Sequence, residues 1–205
     1  MTTETSAAPR VHSNEVQVPA SDVSVYQALY GRRNTWMFTG EEASPELLNK
    51  VLDVAVWAPN HKLTEPWRFF VLPKGSKHRQ QVIDCIYNSA LKQSGDPERA
   101  KRATGKAANP PTLVFVYSAP GMTEKMTLEN YGAVCAAVQN VQLACYAEGL
   151  AVGWESGGVV RADGITEVLG ADPEWTCVGF LGIGFPEGEH VGGRNTPASV
   201  VRWLD

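Results

Sequence analysis

Arg32 and Arg33 stand side by side and are followed at once by Asn34. A planar guanidinium suits paired contact with a phosphate or with ring carbonyls, and a short amide adds a donor and an acceptor. Further on, Ala58-Pro59-Asn60-His61-Lys62 precedes Glu65-Pro66-Trp67-Arg68-Phe69-Phe70-Val71. A polar, basic loop thus lies between a proline that stops a helix and a proline that opens a strand. Trp154-Glu155-Ser156-Gly157 and Arg194-Asn195-Thr196-Pro197 supply two more polar clusters. A core has no use for such groups, whereas an anionic, hydrogen-bonding cofactor needs them. Each also has a plain structural alternative. Cations at a helix end are favoured by its dipole, His61 and Lys62 fit a surface loop, and the last two clusters fit a strand end and a turn.

Other chemistries lack their parts. There is no GxSxG elbow, Walker loop or HExxH, and no GxGxxG between a strand and a helix. His12, His61, His78 and His190 are scattered without metal-ligand spacing. Either the chain is not an enzyme or its chemistry belongs to a bound cofactor.

The elements that must position these residues follow from caps and periodicity. Ser21-Asp22 can cap a short helix carrying Val25, Ala28 and Leu29 and ending near Gly31. Ser44-Pro45-Glu46 starts another, whose apolar face runs to Trp57 before Pro59 stops it. The pattern predicts strands at Arg68 to Leu72, Thr112 to Tyr117, Leu150 to Trp154 and Thr176 to Ile183. It predicts helices at Lys77 to Gln93, Leu128 to Glu148 and Asp163 to Leu169. The helix from Leu128 is apolar on nearly all faces, as in a large core or a subunit interface. Gly95 to Ala108 reads as a mobile helix-loop segment. Helices and strands mix without strict alternation, which favours an α+β sandwich over a doubly wound sheet.

The 205 residues, with a net charge of −4, suit one domain with a full core and give no general affinity for nucleic acid or acidic membranes. Met1 to about Ser21 is polar and lacks the apolar segment of a signal peptide, so residues 1–20 are expected to be a disordered tail before a single domain over 21–205. Four cysteines without CxxC spacing read as free thiols in the reducing cytoplasm.

The ordered series changes the weight of the clusters. Arg-Arg-Asn is followed by Ala-Pro-x-His-Lys-x-x-x-Pro-Trp-Arg-Phe, then by Gly-x-x-x-Gly-Trp-x-Ser-Gly, Gly-Phe-Leu-x-Ile-Gly-x-Pro and an Arg-x-x-Pro tail. From Val25 to Trp203 this resembles the nitroreductase family of FMN-dependent oxidoreductases, and looks most like its short, YdjA-like branch. The resemblance implies an α+β, nitroreductase-like sandwich whose central, mainly antiparallel sheet is flanked by helices. It also implies an intertwined homodimer with FMN at the subunit interface. Electrons would pass by ping-pong from NAD(P)H through FMN to a flat conjugated acceptor such as a nitroaromatic or quinone. Dehalogenation, dehydrogenation, flavin fragmentation or plain flavin binding with little turnover are the alternatives.

By match to the family's motifs, Arg32, Arg33 and Asn34 would contact the flavin and its ribityl phosphate, with Asn34 standing where Ser is usual. Trp57 and His61 flank the Ala-Pro loop, and His61 would reach the flavin from the partner subunit. Trp154, Glu155 and Ser156 would run beside the ring, with Glu155 where close relatives place Arg. Arg194 is the phosphate candidate of the tail. No protein residue is expected to act as a nucleophile and no metal is expected. Gly95 to Asn109 and Gly121 to Met126 are the expected cover of the pocket.

Overall fold

The computed structural model of the chain describes residues 12–204; residues 1–11, just over half of the expected tail, and residue 205 lie outside them. Residues 12–20 run as irregular chain with a turn, beside the second helix. The first helix, α1 (Val25–Gly31), is capped by Ser24 and not by the expected Ser21-Asp22: Ser24 accepts from the Gln27 amide while the Gln27 side chain reaches back to the Ser24 N–H. That reciprocal pair satisfies two otherwise orphaned donors. Ser44 caps α2 (Pro45–Asp53), which tightens into a 3₁₀ turn over Val54–Trp57 before Pro59.

Then follow β1 (Trp67–Pro73), α3 (Lys77–Ser94), α4 (Pro97–Ala108), β2 (Thr112–Ser118), α5 (Glu124–Ala147), β3 (Ala151–Glu155), α6 (Ile165–Leu169) and β4 (Thr176–Gly184). The four strands form one sheet in the order β1-β2-β4-β3, antiparallel throughout. One face packs α2 and α5 through Val51, Val134, Val138, Val114, Leu181 and Ile183. The other packs α3, α4 and α6 through Val82, Ile86, Ala107, Ile165, Phe115 and Phe180. Each large side chain so buried stabilises by roughly 1.5–3 kcal/mol. Opposite Val116 and Tyr117 the register shifts, leaving Val178 as an extra residue in β4.

The segment read as mobile is a regular helix. Asp96 accepts from the Glu98 and Arg99 amides and Pro97 opens the first turn of α4. Its buried face consists of Ala100, Thr104 and Ala107. Small residues give a weak apolar signal in sequence, yet they let α4 pack closely on α3.

The junction between α4 and β2 is closed by Arg79, which is 2% exposed. Its Nε donates to the Ala107 carbonyl, Nη1 to Leu72 and Pro111, and Nη2 to Ala108 and Pro110, at 2.5–3.3 Å. All five guanidinium donors are thereby used. Burial pulls the Arg79 pKa down to about 10, so the side chain remains charged at neutral pH. Arg79→Met strands these carbonyls and should cost about 3–5 kcal/mol in urea unfolding. Arg79→Lys, with three donors, should recover only part of that loss. Equal stability of Arg79→Met and wild type would refute the role.

Candidate functional site

Arg32 follows the last turn of α1, its N–H capping the Ala28 carbonyl, and its Nη1 reaches the buried Gln142 Oε1 of α5 at 3.2 Å. Arg33 donates from Nη1 to the carbonyls of Tyr30 and Arg32, and from Nη2 to Gly192. Its Nε is buried without a partner. A side chain at Gly192 would start 3.0 Å from that Nε, so a larger residue there would press on the Arg33 side chain. Arg194 is held by the Gly193 carbonyl. Burial, then the positive charges of Arg194 and Arg33, lower the Arg32 pKa. The three guanidiniums are therefore near neighbours, and among the described residues no carboxylate forms an ion pair with any of them.

Arg32 and Arg33 border a cavity of about 290 Å³ whose wall includes Thr35, Gln142, Tyr146 and His190, with Glu189 also lining it. Thr35 Oγ1 lies 2.9 Å from His190 Nε2 and accepts from the Met37 amide. Uncompensated cations with an orphaned donor are what a phosphate group completes. Sequence reasoning missed Thr35, Gln142, Tyr146 and His190. His190 alone carried a signal, as a histidine in the same Gly-rich tail as Arg194.

The chain after α1 lies along the edge strand. Asn34 bridges Val152 in parallel, and its Oδ1 accepts from the Trp154 amide at 2.5 Å. Gly153 permits this approach, since a side chain there would start 2.5 Å from the Thr35 carbonyl and the Trp36 ring. Trp154 packs toward the α5 side, with Nε1 buried and unpaired. Ser156 is exposed, just past the end of β3. Glu155 turns to the opposite face, where Oε2 pairs with Lys106 Nζ of α4 and Oε1 accepts from the Gly157 amide. The carboxylate that stands where close relatives place Arg is thus paired. Burial raises its pKa, but the hydrogen bonds from Lys106 and Gly157 and the Lys106 charge outweigh that and hold it below its ordinary value.

His61 and Trp57 lie elsewhere. His61 Nδ1 is 2.8 Å from Glu129 Oε2 near the start of α5. The hydrogen bond from His61, with Lys125 and Lys62 nearby, holds Glu129 below the ordinary carboxylate range. Lys62, Leu63 and Glu65 all have left-handed backbones, at φ 58°, 51° and 48°. Such strain costs on the order of 1–3 kcal/mol per residue and persists only where surroundings impose it. Here Asn60 Oδ1 accepts from the Glu65 amide, and Thr64 is bonded to Asn130. Trp57 is half exposed beside residues 13–19 and Asn140. Glu129 and Gln142 are 13 residues apart on α5; at about 1.5 Å per residue, His61 and Arg32 meet the helix roughly 20 Å apart. Within the single chain His61 does not reach the arginines.

The sequence profile described as "Nitroreductase family" matches residues 29–185. The chain belongs to that family. YdjA of Escherichia coli (strain K12), which carries the provisional name NAD(P)H nitroreductase, is 25% identical over 163 residues, covering 78% of this chain and 87% of its own. The 5,6-dimethylbenzimidazole synthase of Rhodospirillum rubrum is 25% identical, with 78% and 80% covered. A nitroreductase-like family protein from Bacillus cereus superposes with a TM-score of 0.80 at 27% identity, covering 92% of this chain and all of that one. The FMN-dependent nitroreductase NfnB from Mycobacterium smegmatis, solved with NADPH, shares the fold at TM-score 0.73 and 16% identity, with 88% and 97% covered.

In this family member the Glu155 pair has a pH signature. A carboxyl with a lower pKa when folded adds stability above its unfolded value, and this is lost as pH falls through the folded value. Glu155→Gln should therefore lower Tm near neutral pH, and the gap to wild type should close below about pH 4. A gap constant from about pH 7 to 3 would contradict the pairing.

Proposed function

We propose that this Nitroreductase family chain is an FMN-dependent oxidoreductase. It takes electrons from NAD(P)H and passes them by ping-pong to a flat conjugated acceptor such as a nitroaromatic or quinone. The observation that carries the reading is the cationic trio Arg32, Arg33 and Arg194, with Arg32 and Arg33 partly buried, no carboxylate partner among the described residues, and Arg33 Nε left open. The residues fit the cofactor: the trio would hold its phosphate, and Asn34, Trp154, Glu155 and Ser156 would line its ring. When bound, FMN supplies a ring that accepts hydride from a nicotinamide and returns two electrons to an acceptor. The protein's own part is to orient the two reactants in turn and to place donors where the reduced ring is negative.

The site is proposed to be completed by a second copy, which brings His61 and, beside it, Trp57. Support comes from the surface. Tyr30 is 76%, Leu128 73% and Trp203 91% exposed in the single chain. Along α5, Leu128 and Gly132 are exposed and Gln139 and Leu143 half-buried, on the side away from the buried Val134, Val138 and Val141. Apolar area of this extent is what a homodimer buries. We further take residues 21–205 as one domain after a tail at 1–20. The free thiols Cys85, Cys135, Cys145 and Cys177 support a cytoplasmic location. Among the described residues no helix is long and apolar enough to cross a membrane.

The purified protein should be yellow and lose its visible flavin band when NADPH is added without oxygen; an unbleached flavin would favour a binding role without turnover. Arg33→Ala should weaken FMN binding about 10- to 100-fold, as expected for one or two charge-assisted hydrogen bonds. Unchanged flavin content would remove Arg33 from the site. Arg33→Ala and His61→Ala chains co-expressed as a mixed dimer should recover one intact site, close to half the wild-type activity. No recovery would mean that the two residues serve the same chain's site.

A further inference from the structure

Glu155 ends β3, the strand whose edge lies beside the proposed ring site. Its side chain is 13% exposed and both oxygens are engaged, one by Lys106 Nζ and one by the Gly157 amide. A side chain at Gly157 would start 2.6 Å from Glu155 Oε1, so any other residue there would make the carboxylate shift. Lys106 Nζ also sits 5.4 Å from the centroid of the Trp36 ring, in the segment that follows Asn34. Lys106 itself occupies the last turn of α4, and the next two carbonyls, of Ala107 and Ala108, are gripped by Arg79. The ammonium is thus held from the core side and aimed at the strand end.

Resting on the flavin reading above, we propose that Lys106 is a positioning residue. Through Glu155 it sets the turn at Ser156–Gly158, and it cancels a carboxylate charge that the reduced, anionic ring would otherwise meet. Glu155 is then neither an acid nor a base for the reaction; it is the tie between α4 and the ring-facing edge. The charge arithmetic is local. With Lys106 present the pair is neutral, and without it one negative charge remains close to a ring that must itself gain negative charge on reduction.

The test uses the FMN-loaded protein and reads the flavin midpoint potential and the FMN dissociation constant. Lys106→Gln removes the charge and keeps a hydrogen-bond donor. It should shift the potential to more negative values and weaken FMN about tenfold, by the scale of one lost charge interaction. Lys106→Arg should stay near wild type. Lys106→Gln combined with Glu155→Gln should return the potential toward wild type, since no lone carboxylate remains. Amide hydrogen exchange across residues 155–158 of the flavin-free chain should speed up in Lys106→Gln. A variant that changes only Tm, with potential, affinity and exchange at wild-type values, overturns the proposal, as does a double variant no better than Lys106→Gln. A wild-type chain that binds no FMN fails the functional reading itself, and this inference falls with it.

Discussion

Five backbone carbonyls converge on the buried guanidinium of Arg79, and much of the fold's second face follows from that convergence. The carbonyls come from β1, from the end of α4 and from the Pro110-Pro111 lead into β2. Helix ends leave carbonyls without intrahelical donors, and proline contributes no N–H of its own. A buried crossing of this kind needs donors brought from elsewhere, and one arginine brings five. Lys106, one residue before the clasped segment, is carried to the edge strand as a result.

Arg32, Arg33 and Arg194 show the opposite use of the same side chain. Arg79 is charged, buried and fully bonded by dipoles, which is a structural solution. The trio near α1 is bonded by only a few carbonyls and one amide oxygen, so positive charge and an open donor are left over. Repulsion among the three is tolerated in the folded chain, and an anion placed among them would relieve it. The strained loop at Lys62–Glu65 is held in turn by Asn60, Thr64 and Asn130, which fix the backbone beside His61.

Much of this was legible in the residues. Ser44-Pro45-Glu46, Pro59, the run Thr112 to Tyr117 and the all-round apolar α5 each announced an element that is present. Caps and strand runs are local in cause, and so a local pattern reveals them. Ser24 was passed over for Ser21-Asp22 because both stretches offer a cap, and only the reciprocal Gln27 bond separates them. The stretch that forms α4 read as a mobile helix-loop segment because its buried face is alanine and threonine, which periodicity hardly weighs.

The order of motifs from Arg32 to Arg194 determined, by itself, the family and the side chains proposed for a flavin site. What those side chains do was decided only by tertiary structure. Glu155 looked out of place until α4 set Lys106 against it, and Arg79 looked like one more charge on an amphipathic helix until the α4–β2 junction closed around it. Burial and pairing depend on groups brought close from distant parts of the chain, and the strength and sign of a charge's effect depend on that closeness. A sequence states which charges exist; the fold alone states which of them are already answered.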